Sequence, residues 1–527
     1  MSNSIAEIEK TDLMFVIGSN TKENHPVIAL RMIKAKKKGA KLIIADPRKV
    51  PLVKFADLWM QHRPGTDVML LNSMMHVILN EGLADHDFIT SMTEGFNDSF
   101  KKNLQDYTPG TAEHVTGVRK EIIVKAARMY AQADKAGIYY TMGITQHSHG
   151  TDNVLSIANL ALMTGNLGKD GGGVNPLRGQ NNVQGATDMG CIPDNYTGYQ
   201  HVSNQEVKEK FEALWQVKLS GREGLKAPEM LAHAVKGTLK AMYIMGENPV
   251  MSDPNVAHTI KAFNSVEFLV VQDIFMTETA ALADVVLPAA AFAEKSGTFT
   301  NTERRVQRVR RALNPPGQAM RDSHIIMELS KRMGFPMPYY HTEDIFNEIG
   351  KVWPTIAGIT YARLDKGGIQ WPCPSRDHSG TRHLFEGGFP RGKGKFTVVK
   401  YKPSGEQPDK DFPFLLTTGR TLLQYHTGTM TRRVKPINEI APGPYVEISE
   451  EDAANLHLEN GCSAHVTSRH GSIMLKVKVS DRPDKGVVFI PFHFIEAAAN
   501  ALTNSDNLDP VCKIPEFKVT AVRITKA

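Results

Sequence analysis

Apolar residues fall into unbroken runs in the first half of the chain and into short alternating runs near its end. Leu13 to Ile17 in DLMFVIGSN and the run in KLIIADPRK are continuous. That pattern predicts parallel strands buried on both faces. NHPVIALRMIKAKKKG, between them, has helical character and stops at Gly39, so the three segments predict a βαβ unit. Helices are expected around 68–80 and 118–133. AGIYYTMGITQHSHG reads as a strand running into a polar loop, followed by a helix around 152–163. The plan returns in LKAMYIMGENP, NVAHTIKAF and VEFLVVQDIF. Both units read strand, G-[SE]-N loop, helix, strand, acidic residue, as in a pseudo-duplicated pair. From 293 to about 385 Gly, Pro and charge interleave, which predicts an irregular region. From about 390 FTVVKY, FPFLLTTG, PYVEIS, CSAHVTS, SIMLKVKVS and GVVFIPFH are short β-rich runs between turns, predicting a closed all-β domain of barrel type. The expected segments are 1–180, 181–292, 293–389 and 390–527. The fold class is α/β, with doubly wound αβα domains and a C-terminal barrel.

One stretch fits neither period. GGGVNPLRGQNNVQGATDMG, residues 171–190, is rich in Gly, Asn and Gln around Arg178. Gln180, Asn181, Asn182 and Gln184 both donate and accept hydrogen bonds, which suits a flat, heteroatom-rich ring system. Arg178 is a rigid fork that matches a carboxylate or phosphate. An arginine pairing with a structural acid is the alternative reading. Ligands of α/β sheets sit beyond the carboxyl ends of the strands. Those ends carry Gly18-Ser19-Asn20, Asp46-Pro47-Arg48, Gly246-Glu247-Asn248 and Gln272-Asp273. Glycine lets backbone N–H groups approach a phosphate, and an acid after the next strand can accept from a ribose hydroxyl or a guanine amine. Neither loop is a GxGxxG, so a standard NAD site is not supported. Plain capped strand-to-helix turns remain the alternative. His147 and His149 in TQHSHG are spaced i, i+2 with no nearby carboxylate in sequence, which gives little support to a metal site.

Composition narrows the partners. The chain has 527 residues, a net charge of +6 and no long Lys/Arg run, which suits an anionic ligand better than nucleic acid. Its four cysteines, Cys191, Cys373, Cys462 and Cys512, form no CxxC pair. This argues against a disulfide framework or an iron–sulfur site made by this chain alone, and fits a reducing, cytoplasmic compartment. No apolar run is long enough to span a bilayer, and the N-terminus lacks signal-peptide character.

VNPLRGQNNVQGATDMG, MGITQHSHG, LMTGNLGK, MGENP, QDIFMTETAALADVVLP and IQWPCP together resemble the catalytic subunit of molybdopterin-dependent formate dehydrogenase, in the dimethyl sulfoxide reductase superfamily. The resemblance runs from Ser2 to Ile524. It implies molybdenum or tungsten held by two molybdopterin guanine dinucleotides, matching the two βαβ units. By the resemblance, Asn20, Glu23, Asp46, Arg48, Asp67, Met142, Gln146 and Gly165 bind one nucleotide or line the pterin. Gly246, Glu247, Asn248, Ser252, Gln272, Asp273, Thr277 and Asp322 bind the other. Gly419, Arg420, Gln424, His426 and Thr427 close over the pterins from the C-terminal domain, with Asn500, Glu516 and Lys518 as further contacts and Gln180 beside Arg178. Arg178 matches the arginine that orients formate for oxidation to CO2, a reversible two-electron step of anaerobic electron transfer.

The resemblance also implies a [4Fe-4S] domain and a cysteine or selenocysteine metal ligand with its adjacent histidine, which in the family precede the position matching Ser2. The expectation is therefore a chain that starts just downstream of that ligand. A truncated selenoprotein, a split enzyme with a separate N-terminal fragment, and a non-catalytic scaffold of an electron-transfer complex stay open, as does a related nitrate reductase. Iron–sulfur electron-transfer subunits are the implied protein partners, and no membrane span is expected. A twin-arginine signal would lie upstream, which leaves the periplasm open.

Overall fold

In a computed structural model, which describes all residues from Met1 to Ala527, the first apolar run forms β1 (Leu13–Ile17), buried at every position. Leu13, Phe15 and Ile17 belong to a core shared with helices Asp67–Asn80, Lys120–Ala131 and Gly150–Met163. Met14 and Val16 belong to a second core with Ile28, Met32 and Ala35 of helix Pro26–Lys37. Side chains of a strand alternate between faces, so two apolar layers require an unbroken apolar run. β2 (Lys41–Ala45), β3 (Leu58–Met60), β4 (Ala136–Tyr140) and β5 (Val174–Pro176) complete a parallel sheet in the order β3-β2-β1-β4-β5. The order reverses between β1 and β4, so their carboxyl ends flank the topological switch point where such sheets take ligands.

Gly18 follows β1 with φ +56°, and Gly143 follows β4. The Gly143 N–H donates to the Gly18 carbonyl at 3.1 Å, and Thr141 Oγ1 donates to the same oxygen at 2.7 Å. A Cβ on Gly18 would lie 2.8 Å from the Gly143 carbonyl carbon. The two loops can approach this closely only because both positions lack a side chain.

The second unit of the sequence pattern forms β6 (Ala241–Met245), β7 (Phe268–Asp273) and β8 (Val285–Pro288), parallel in the order β8-β7-β6. The region expected to be irregular holds β9 (Gly297–Thr300), β10 (Arg305–Val309) and β11 (Ile369–Gln370) in an antiparallel sheet, with helices Asp322–Arg332 and Thr342–Val352. It has its own core of Val306, Phe346, Trp353, Ile356, Tyr361, Leu364 and Cys373. Aromatic anchors on short elements replace a periodic apolar face there, which hides the order from pattern reading.

β12 (Phe414–Gly419), β13 (Tyr445–Ile448), β14 (Ser463–Thr467), β15 (Ser472–Val479), β16 (Val487–Pro491) and β17 (Thr520–Lys526) close a six-stranded barrel in the order β12-β16-β13-β15-β14-β17. Two pairs, β12 with β16 and β13 with β15, are parallel, as in a double-psi arrangement. FTVVKY is not one of its strands. Its backbone is held by side chains instead: Asn159 brackets Thr397 with two hydrogen bonds, Asn72 and Asn103 both donate to the Val399 carbonyl, and Tyr107 accepts from Tyr401 N–H. The stretch 171–190 is also less irregular than its composition suggests. It contains β5 and a short helix, Val183–Asp188, entered through Asn182 at φ +62°.

The chain divides into two compact units, one of Met1–Leu177, Met251–Thr259 and His383–Ala527, the other of Arg178–Val250 and Ile260–Arg382. The segments 1–180 and 390–527 lie in the first unit except for residues 178–180. The segments 181–292 and 293–389 lie in the second except for 251–259 and 383–389. No helix is long and apolar enough to cross a membrane.

Gly18→Ala places a Cβ against the Gly143 backbone at a left-handed position. The expected outcome is a loss of about 1–3 kcal/mol, read as a lower denaturation midpoint. A wild-type midpoint would show that the loops can part without cost.

Candidate functional site

In the first unit, the residues expected at one nucleotide gather at the carboxyl ends of the strands. Asn20 follows β1, Asp46 directly follows β2, Asp67 starts the helix after β3, and Met142 and Gln146 follow β4. Asn20 donates to Glu23 at 2.8 Å, while its Oδ1 is buried without a partner. Glu23 accepts from Arg482 at 3.1 Å and lines a cleft of about 740 Å³ walled by Leu422, Ile440, Met474 and Phe494. Asp46 accepts the Arg48 backbone N–H at 2.9 Å, and burial pushes its carboxyl pKa up.

Two of the expected residues, Arg48 and Gly165, are also engaged within the chain. The Arg48 side chain is buried, ion-paired to Glu447 of β13, and stacked 3.4 Å from the Phe489 ring centroid. It ties the sheet to the barrel within this unit. Burial would raise the Glu447 pKa, but Arg48, Arg482 and Lys478 hold it low. Gly165 lies at the amino end of the sheet. It adopts φ +60° after helix Gly150–Met163, beside Asp85, and the next residue, Asn166, accepts the N–H of Ala136 at the start of β4. Its glycine is required by a helix-ending turn, far along the strands from the switch point.

Behind the switch point lies a buried chain of imidazoles and carboxylates. His62 Nε2 is 3.1 Å from Asp67 Oδ1, His147 Nε2 is 3.8 Å from Asp67 Oδ2, and His147 Nδ1 is 3.5 Å from Glu516 Oε1. His149 stacks on His147. Burial alone would depress the His62 pKa and raise those of Asp67 and Glu516. The mutual charges win, so His62 is raised and both carboxyls are lowered. His147 and His149 thus belong to one buried cluster with these carboxylates, and burial lowers the His149 pKa. His62 was not legible as a partner, although its place five residues before Asp67 across Pro64-Gly65 carried the signal.

The barrel contributes a cationic wall. Lys518 and Arg420 are surrounded by protein yet keep part of their surface exposed. Burial, reinforced by Arg420, lowers the Lys518 pKa to about 7, and its ammonium donates to the Thr418 carbonyl at 2.6 Å. No carboxylate lies within ion-pair distance of either cation, although the Asp46 charge reaches Lys518. Gln424 accepts from Thr431 through Oε1, and its buried Nε2 has no partner. Thr427 bonds Thr429 at 3.0 Å, and burial lowers His426 to about 4. A Cβ at Gly419 would meet Phe489 at 2.8 Å. Asn500 donates to the Met251 and Ser252 carbonyls, with its Oδ1 buried and unpaired. Ser252 Oγ donates to Asp253.

In the second unit, Gly246 (φ +67°) has open space where a Cβ would stand. Glu247 beside it is accessible but surrounded, and its pKa is raised by burial. The neighbouring polar residues are engaged with one another. Asn248 bonds Glu278 and Thr279, Gln272 bonds Tyr243 and Asp322, and Asp322 pairs with Lys295. Asp273 accepts the Ile274 N–H, and Thr277 caps Ala280 N–H. These side chains shape the loops after β6 and β7.

Arg178 is exposed at the start of this unit, and its Nε donates to Gln184 at 3.1 Å. Its backbone N–H donates to Thr302. Asn182 accepts the Thr300 N–H at 2.9 Å. Gln180 is partly buried in the turn before helix Val183–Asp188. Behind Gln184 stands Asp188, which accepts from Gln184 Nε2 at 2.7 Å, Tyr199 OH at 2.7 Å and Trp371 Nε1 at 2.8 Å. Burial raises the Asp188 pKa against these donors. Asp188, Tyr199 and Trp371 were not singled out from sequence. Only Asp188, at i+4 from Gln184, carried a local signal.

Similarity to known proteins follows this geometry. Residues 1–332 match the molybdopterin oxidoreductase family and residues 414–521 match the molydopterin dinucleotide binding domain. The chain is 52% identical over 530 residues to the F420-dependent formate dehydrogenase subunit alpha of Methanocaldococcus jannaschii, covering 100% of this chain and 78% of that protein. It is 42% identical over 533 residues to formate dehydrogenase H of Escherichia coli, covering 99% of this chain and 74% of that protein. Acetylene hydratase from Pelobacter acetylenicus shares the fold, with a TM-score of 0.79 at 20% identity over 99% of this chain and 81% of that one. With 332 N-terminal residues and a C-terminal domain matching, and with full-length similarity to proteins named formate dehydrogenase alpha subunits, this chain belongs to the molybdopterin oxidoreductases, in the formate dehydrogenase alpha-subunit branch.

Proposed function

We propose that the protein oxidises formate to CO2, and runs the reverse step, as the catalytic subunit of an electron-transferring complex. The observation that carries the reading is Arg178, held through Nε by Gln184 in an Asn/Gln-rich loop. A guanidinium is planar and matches both oxygens of the smallest carboxylate, so it fixes the one C–H bond in direction. Oxidation breaks that bond and yields CO2, one proton and two electrons.

The residues present fit a bis(molybdopterin guanine dinucleotide) group. The fit rests on Arg420 and Lys518 without a carboxylate partner, on the open Cβ position at Gly246, and on unpaired buried polar atoms of Asn20, Gln424 and Asn500. Asn20, Asp46, Met142 and Gln146 would hold one dinucleotide, with Arg420, Gln424 and Lys518 reaching its anionic parts. Gly246, Glu247 and Asp273 would hold the other. When bound, the group, with molybdenum or tungsten, supplies the acceptor for the hydrogen and its electron pair. A [4Fe-4S] cluster and iron–sulfur subunits would take the electrons onward. Arg178 binds and orients the substrate, and Gln184 holds its guanidinium.

Arg178→Lys keeps the charge and loses the fork. Formate-dependent dye reduction by the complex purified from its natural host should fall in kcat/KM by roughly 100-fold or more. Unchanged turnover removes Arg178 from the mechanism. Lys518 gives a pH test. Its folded pKa of about 7 lies below the ordinary 10.5, so the ligand-free folded chain binds fewer protons than the unfolded one between these values. The Lys518 contribution to stability therefore rises as pH climbs from about 7 toward 10.5. Comparing denaturation midpoints across that range with Lys518→Met should show the slope diminished in the variant. Arg420→Met with Lys518→Met should lower guanine and metal content of the matured protein, and full cofactor content would contradict the cationic wall.

A further inference from the structure

We propose that Gln184, Asp188, Tyr199 and Trp371 form a one-way hydrogen-bond relay that sets the plane of the Arg178 guanidinium. Gln184 is the positioning residue that touches it. The inference rests on the reading of Arg178 as the formate-orienting arginine and deepens it.

The polarity follows from what each group can do. A carboxylate only accepts, so Trp371 Nε1, Tyr199 OH and Gln184 Nε2 all donate to Asp188. Having given its proton to Asp188, the Tyr199 oxygen accepts the second Gln184 N–H, at 3.1 Å. Both amide hydrogens of Gln184 thus point toward Asp188 and Tyr199. Its Oε1 has one orientation left, toward Arg178, and accepts the Nε–H at 3.1 Å. A flipped amide would set an N–H against the Arg178 donor and a carbonyl against the Asp188 carboxylate. A bond to Nε fixes the guanidinium plane, because Nε is the atom about which that plane would otherwise swing.

The relay is built into rigid surroundings. Gln184 and Asp188 are buried one turn apart on helix Val183–Asp188. Tyr199 has φ +60°, a conformation seldom adopted without glycine, and the preceding Gly198 lies so close to Trp353 that a Cβ would stand 2.5 Å from its ring. Trp353 packs edge-on against Trp371 at 5.5 Å. The Gly198 N–H donates to the Asp188 carbonyl at 2.8 Å, which holds the Tyr199 turn on the helix end.

Tyr199→Phe removes one hydroxyl and keeps the ring, so folding is preserved. Asp188→Asn is the harsher companion. In full-length protein labelled with 15Nε-arginine, the Arg178 Nε–H signal is identified by its loss in Arg178→Lys. Its solvent exchange should accelerate about five- to tenfold in Tyr199→Phe, as expected for weakening one neutral hydrogen bond. In the complex purified from its natural host, the formate KM should rise by a similar factor with kcat changed less. The same substitution should add nothing in the Arg178→Lys background, because lysine has no Nε–H to position. Wild-type exchange in Tyr199→Phe, or an equal loss in both backgrounds, overturns the relay and leaves these residues a purely structural role. Absence of formate turnover in the unaltered complex would instead defeat the functional reading, while the exchange measurement still decides the relay.

Discussion

Contact between the Gly18 and Gly143 backbones underlies the first unit's site. It brings the loops after β1 and β4 together at the point where the strand order reverses. Every polar group assigned to that end of the sheet, from Asn20 to Gln146, is placed by where those loops turn. A side chain at either glycine would separate the loops. The parallel sheet supplies direction, since all its carboxyl ends face one way, and the glycine pair supplies convergence.

The second constraint is electrostatic. Buried carboxylates behind the switch point have basic side chains as neighbours: Asp67 has His62 and His147, Glu516 has His147, and Glu447 has Arg48. Arg420 and Lys518 on the barrel have no carboxylate within ion-pair distance. A fold that neutralises its acids and leaves two neighbouring cations without counter-charge is prepared for an anion that the chain does not itself provide.

Much of this was legible from pattern. The first βαβ unit was visible because parallel strands such as β1, buried at every position, must be continuously apolar, and the barrel strands from Phe414 to Pro491 because short β-rich runs recur between turns. Arg178 stood out because nothing in a Gly/Asn/Gln loop explains an arginine. The rest depended on partners distant in sequence. Arg48 gives no local sign of its partner, since Glu447 lies nearly four hundred residues later. Gly165 gives no sign in sequence that it stands at the amino ends of the strands. FTVVKY has strand composition, but asparagine side chains from three helices satisfy its backbone. Tyr199 and Trp371 carry no local signal, because their role is defined by Asp188, which they reach from separate stretches.

The Arg48–Glu447 pair has a consequence for biosynthesis. Its partners are 399 positions apart. At about 5–20 residues per second, ribosomes need roughly 20–80 s to make the chain between them. For that interval the nascent N-terminal layer carries an uncompensated guanidinium where the barrel will later dock. The first unit's site cannot be complete before Glu447 and Lys518 have been synthesised, so a prosthetic group that contacts both sheet and barrel enters only after those residues have left the ribosome.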